Sequence, residues 1–97
     1  MGVFDYDYVS YYASSEVAGK IVGLINRLLL LGKLSFTNKD LASSMKKGVA
    51  SASNQSREMR DYGFVQEDDF NENSEKIYKI IDPKIIYLIE NGIKTID

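Results

Sequence analysis

Residues 40–65, DLASSMKKGVASASNQSREMRDYGFV, constrain the chain more than any other stretch. Leu41, Ala42 and Met45 recur at helical spacing, so about two turns of helix can bury one face against a core. Lys46, Lys47 and Gly48 then break the apolar pattern. The glycine can adopt backbone angles that a Cβ resists, and the two lysines keep the turn solvated and positive. The spacing predicts a second helix over residues 49–61. Its inward positions are Ala52, Ser56 and Met59, mostly small, which permits close helix crossing. Its outward face carries Ser51, Ser53, Asn54, Arg57 and Arg60, with no aliphatic residue among them. Gly63, Phe64 and Val65 turn this helix into a strand.

The pattern resembles the winged-helix branch of helix-turn-helix DNA-binding proteins, the group that includes the MarR, PadR and ArsR regulators. The match runs without a gap through an acid-Leu-Ala opening at Asp40, Leu41 and Ala42, an apolar helix end at Met45, a small core residue at Ala52, an apolar one at Met59, and the Gly63-Phe64-Val65 close. It departs from the family at Gly48-Val49, where a Ser or Thr usually caps the second helix, and at Ser56, where a larger aliphatic is usual. With its flanks the resemblance covers residues 15–92, and the motif is one of a superfamily. It implies an α+β fold, a winged helix-turn-helix with a three-helix core, a β-hairpin wing and an added C-terminal helix.

Composition narrows what such a chain does. At 97 residues it reads as one domain, small enough that dimerisation would help to stabilise it. With 44% hydrophobic and 27% charged residues it is expected to be soluble and globular. There is no cysteine and no histidine, which excludes disulfides, thiolate chemistry and the usual zinc and imidazole sites, and is compatible with the cytoplasm, where the protein is expected. The apolar run over residues 21–31 is too short to span a bilayer and is interrupted by Asn26 and Arg27, so no membrane segment is expected. Nor does the N-terminus have the basic and apolar regions of a secretion signal. Without a phosphate-binding glycine loop or paired carboxylates in an apolar setting, neither an enzyme nor a cofactor is expected. Asp68, Asp69 and Glu72 lack calcium-loop spacing and read as solvated acids, so no metal is expected either.

The net charge is only -2, too little positive field for an indiscriminate nucleic-acid coat. Its distribution says more. Residues 33–60 hold six Lys or Arg against two acids, whereas residues 61–75 hold six acids and no base. Positive charge thus coincides with an outward face of Asn, Ser and Arg, the side chains that read base edges and phosphates, and double-stranded DNA is the expected partner. A homodimer would place two such helices in successive major grooves, about 34 Å apart, on a palindromic or repeated site. Ser51, Ser53, Asn54 and Arg57 are expected to face bases; Lys39, Lys46, Lys47, Arg60 and Lys76 are expected to hold phosphates. The bland alternative is that Asn54, Gln55 and Arg57 are only the solvated side of a structural helix.

The flanks complete the outline. Phe4, Tyr6, Tyr8, Tyr11 and Tyr12 put more aromatic surface into residues 1–14 than a disordered tail carries. Such an arm packs on a second copy, covers its own core or, against the charge of Asp5 and Asp7, stacks on bases. Ser14 or Ser15 is expected to cap a helix over residues 16–31, with an apolar stripe wide enough for burial on two sides and Gly32 at its end. Residues 33–37 (KLSFT) read as a short strand, and Thr37 with Asp40 as a capping box. Residues 63–67 and 76–81 alternate apolar and polar as two half-buried strands around a polar tip, residues 68–75, and form the wing. In many family members that tip is basic and touches the minor groove; here Glu67, Asp68, Asp69, Glu72 and Glu75 make it acidic, fit to keep an edge strand soluble or to face a basic protein partner. Asp82 and Pro83 open a last helix that is apolar on every face, and Gly92 ends it. Such a helix packs on the first helix or on a second subunit.

The expected organisation is therefore an aromatic arm over residues 1–14, a winged helix-turn-helix domain over residues 15–82, and a C-terminal dimerisation helix and tail over residues 83–97. Phe4, Tyr8, Tyr11, Tyr12, Ile86, Ile89 and Ile93 are expected at a two-fold interface. A bare winged helix of this kind resembles small transcriptional repressors. It also resembles partition adaptors of plasmids and phages, which coat centromere repeats and recruit a filament-forming NTPase. A protein-interaction module without DNA affinity is the third reading.

Overall fold

The computed structural model describes residues 15–96, and its first helix, α1, spans Ser15–Leu31. It is followed by β1 (Ser35–Thr37), α2 (Asn38–Met45), α3 (Val49–Asp61), β2 (Val65–Phe70), β3 (Lys76–Ile80) and α4 (Pro83–Glu90). The three strands form one antiparallel sheet in the order β1-β3-β2. Three helices, a two-stranded wing and a further C-terminal helix are thus present in the anticipated order, and the class is α+β. Among the described residues no helix is long and apolar enough to cross a membrane.

The stripe of α1 supplies Ile21, Leu24, Ile25, Leu28 and Leu29 to a single core, where Leu41, Ala52, Met59, Phe64, Ile85 and Leu88 meet them. Because α4 turns Ile85 and Leu88 into this core, its packing partner within the chain is α1. Ile86, Ile89 and Ile93 are half-buried against the same core, and Phe4, Tyr8, Tyr11 and Tyr12 lie outside the described residues. The tail beyond α4 also returns to α1. Asn26 donates from Nδ2 to the carbonyl of Ile96 at 3.0 Å and accepts the amide of Ile96 at 2.7 Å.

The capping box at α2 is present as expected: Thr37 Oγ1 accepts the amide of Asp40, and Asp40 Oδ2 accepts that of Thr37, both at 3.1 Å. The helix begins at Asn38, because the cap at Thr37 defines its start. At the turn into α3 the expectation is corrected. Gly48 is extended, with φ -73 and ψ 161, and serves as the N-cap of α3, whereas Lys46 takes the left-handed conformation at φ 57. The left-handed Lys46 closes the turn, so that the amide of Lys47 reaches back to Ala42 O at 3.1 Å.

The wing also differs in its details. The first strand shortens to three residues, and β2 extends to Phe70, carrying Asp68 and Asp69 within the strand. A register shift between Glu67 and Phe70 breaks the alternation, so only Val65 of β2 is buried. The tip proper is a turn organised by Asn71. Its Oδ1 accepts the amides of Asn73 and Glu75, each at 2.9 Å, and its Nδ2 donates to Glu75 Oε1 at 3.0 Å.

Candidate nucleic-acid interface

Helix α3 is fixed by its inner face. Ala52, Ser56 and Met59 are fully buried, as their spacing predicts. Ser56 is tolerated in the core because its hydroxyl donates to Asn38 Oδ1 at 2.7 Å, which ties α3 to the first turn of α2. On one flank Glu58 pairs with Lys20 of α1. At the C-terminus Gly63, at φ 81, reverses the chain so that the amide of Phe64 bonds Met59 O at 2.9 Å and β2 can begin. The orientation of α3 is therefore set from three sides.

The residues opposite this buried face are Ala50, Asn54, Arg57 and, at the helix end, Asp61, all exposed. Arg57 Nη2 donates to Asn54 Oδ1 one turn earlier. Ser51 and Ser53 are half-buried instead. At 3.6 residues per turn they lie roughly 160° apart around the helix, so they flank the exposed ridge rather than share it. Gln55 also turns inward, with its Oε1 buried and without a partner among the described residues. Ala50 was not singled out from sequence, since a small apolar residue at a helix start gives no signal of its own. It belongs to the exposed ridge by helical geometry.

The N-terminus of α3 has no side-chain cap and no acid in its first turn. Lys46 and Lys47, both exposed, sit in the turn directly before it. A shallow cleft lined by Thr37, Asn38, Lys39, Val49, Glu75 and Lys76 separates the starts of α2 and α3 from the wing. Partial positive charge at a free helix end and the nearby Lys39, Lys46 and Lys47 make this edge receptive to anions.

Arg60 and Lys76, the latter on the wing side of this cleft, are engaged by carboxylates. Lys76 Nζ lies 2.7 Å from Glu67 Oε1, and Arg60 reaches Glu67 Oε2 at 3.5 Å and Asp61 Oδ1 at 3.3 Å. The hydrogen bond from Lys76, then the charges of Lys76 and Arg60, hold the Glu67 carboxyl below the usual carboxylate range despite some desolvation. The same bond raises Lys76, and the hydrogen bond to Asp61 raises Arg60. A phosphate reaching either cation competes with these carboxylates. Among the described residues no group of three or more Asp, Glu, His or Cys is arranged to hold a metal ion.

No protein-family model matches the chain, and no curated protein matches it in sequence. Its fold does match solved structures. The crystal structure of the AntR antimony-specific transcriptional repressor superposes with a TM-score of 0.54 at 24% identity, covering 82% of this chain and 79% of that one. ZitR from Lactococcus lactis, a C30AH42A mutant in apo form, superposes with a TM-score of 0.56 at 12% identity, covering 94% of this chain and 72% of that one. Together with the element order, the antiparallel β1-β3-β2 sheet and the packing of α2 against α3, these likenesses establish that the chain has the winged helix-turn-helix fold.

Proposed function

We propose that this protein is a sequence-specific DNA-binding regulator of transcription, a repressor that acts as a homodimer by occluding its operator. The observation that carries the reading is the ridge Ala50, Asn54 and Arg57 on a helix whose opposite face is locked into the core, beside an uncapped helix start and Lys46-Lys47. Asn54 and Arg57 face bases, and Ala50 can touch a thymine methyl group. Ser51 and Ser53, on the flanks, reach the edges of the groove. Lys39, Lys46 and Lys47 hold phosphates on either side of the α3 start, with Arg60 and Lys76 as weaker contributors because Glu67 engages both. The likeness to AntR, described as a transcriptional repressor, supports the same role. Its antimony specificity is not carried over, because this chain has neither the cysteine nor the histidine that soft metals favour. Dimerisation through the half-buried Ile86, Ile89 and Ile93, together with the aromatic arm, would align two recognition helices.

A second reading, the partition adaptor, is favoured by one feature: the outer wing strand exposes Asp68, Asp69 and Phe70, with Phe70 59% accessible. Such a surface suits a basic protein partner. The deciding experiment is titration against random and upstream-region duplexes at two salt concentrations, with light scattering for the oligomeric state. Tight, salt-sensitive and sequence-dependent binding by a dimer supports the regulator. No binding at low salt overturns DNA recognition and leaves a protein-interaction module.

A further inference from the structure

Helix α3 carries two arginines in very different states. Arg60 is bound by Asp61 and Glu67, whereas among the described residues no carboxylate pairs with Arg57. Among the described residues, the side-chain partner of Arg57 is the amide oxygen of Asn54, three residues earlier on the same exposed ridge. A guanidinium has five N–H donors in a planar fork and no acceptor. Held through one Nη2 hydrogen by a neutral oxygen, it keeps its full charge and most of its donors, and loses part of the rotamer freedom that would otherwise oppose binding.

This arrangement restricts what the ridge can read. An asparagine recognises adenine with both ends of its amide, the nitrogen donating to N7 and the oxygen accepting from the 6-amino group. Here that oxygen already accepts a cation, and an adenine amino group would have to compete with it. What remains on offer is a surface of donors: the free N–H groups of Arg57 and the amide nitrogen of Asn54. Cytosine presents a donor and thymine a single acceptor, whereas guanine presents two adjacent acceptors, O6 and N7, matched to a guanidinium fork.

We propose that Asn54 and Arg57 form one reading unit that selects a guanine in each half-site, with Arg57 donating to O6 and N7 and Asn54 acting as its positioning residue. The inference rests on the DNA-binding reading above and assigns that site its base preference. Both side chains are exposed, so their replacement leaves the core intact, and unchanged circular dichroism and thermal melting verify this for each variant.

The test is selection from a random duplex pool at low salt by the parent protein, followed by titration of the selected duplex with guanine or 7-deazaguanine at the conserved position. The modified base lacks the N7 acceptor. The parent is expected to enrich one guanine per half-site and to bind the 7-deaza duplex roughly tenfold less tightly or worse. Arg57→Ala is expected to lose the enrichment at that position alone and to bind both duplexes equally. Asn54→Ala is expected to keep a guanine preference with a smaller ratio between the two duplexes, an effect that general loss of helix stability does not produce. Selected sites without a fixed guanine, or Arg57→Ala selecting the same bases as the parent, overturn the inference while DNA binding itself stands. If the parent binds no duplex at low salt, the underlying reading falls and the inference with it.

Discussion

The side-chain amide of Asn26 makes two hydrogen bonds to the backbone of Ile96, seventy residues away, and so uses one polar group in the middle of α1 to pin the end of the chain. In the sequence this asparagine only interrupts an apolar run. In the fold it replaces the water that the Ile96 amide and carbonyl would otherwise require. It also holds the segment after α4 against the first helix.

Asn26→Ala is therefore expected to destabilise the protein by about 1–3 kcal/mol, the range for losing two hydrogen bonds and leaving part-buried backbone groups unpaired. Urea unfolding measures the loss. Hydrogen exchange should show it concentrated in the tail, with the amide of Ile96 losing protection well before those of α3.

Ser56 stands in a fully buried position, and its hydroxyl's partner among the described residues is Asn38 Oδ1. Ser56→Ala removes the donor and is expected to lower stability by about 1 kcal/mol. Ser56→Leu must fit a larger side chain between α3 and α2 without moving Ala52 and Met59, and overpacking of this kind costs about 1–3 kcal/mol. Equal midpoints for Ser56→Leu and the parent in a urea titration would show that the crossing relaxes freely.

The Glu67 cluster gives an acid-sensitive contribution. The folded protein lowers the Glu67 pKa, chiefly through Lys76, so the unfolded chain takes up the proton first as pH falls. The contribution is then complete above the ordinary carboxylate range and is lost as pH drops through the folded value. Glu67→Gln should flatten the acid limb of a stability-pH curve. It also releases Lys76 while Arg60 keeps Asp61, so on the proposed function it should tighten DNA binding and steepen the salt dependence by about one phosphate equivalent.

Lys46 combines an unfavourable backbone with a favourable charge. A side chain in the left-handed region costs about 1–2 kcal/mol, part of which glycine recovers. Lys46→Gly is expected to match or exceed the parent in thermal stability, whereas Lys46→Ala retains the strain. Both should weaken binding to all duplexes alike and reduce the salt slope by about one. A drop confined to one target sequence would place Lys46 at a base rather than a phosphate.

How much of this was legible beforehand follows from the range of each interaction. The buried triad Ala52, Ser56 and Met59, the Thr37-Asp40 box and the Asp82 cap are local, set by spacings of two to four residues, and each stands where the sequence places it. At the turn before α3 a glycine suggests freedom that the backbone, already closed at Lys46, does not need there. Within the candidate interface, outward direction followed from helical period for Asn54 and Arg57. The flank positions of Ser51 and Ser53 needed the neighbouring elements to mark which side was covered.

The sequence by itself determined the order and type of the elements and the inner face of α3, because periodicity, caps and turn residues act within a few positions along the chain, whereas the inner face of the all-apolar α4 was chosen by its packing on α1. Only the tertiary structure decided which charges remain available. Arg60 and Lys76 meet at Glu67 because β2 pairs with β3 and the end of α3 leads into that strand. Arg57, three residues earlier than Arg60, turns away from the wing onto the open ridge with Asn54. Likewise the tail is held at Ile96 by a residue of α1. Such pairings depend on elements brought together from distant parts of the chain, and no local pattern of residues encodes them.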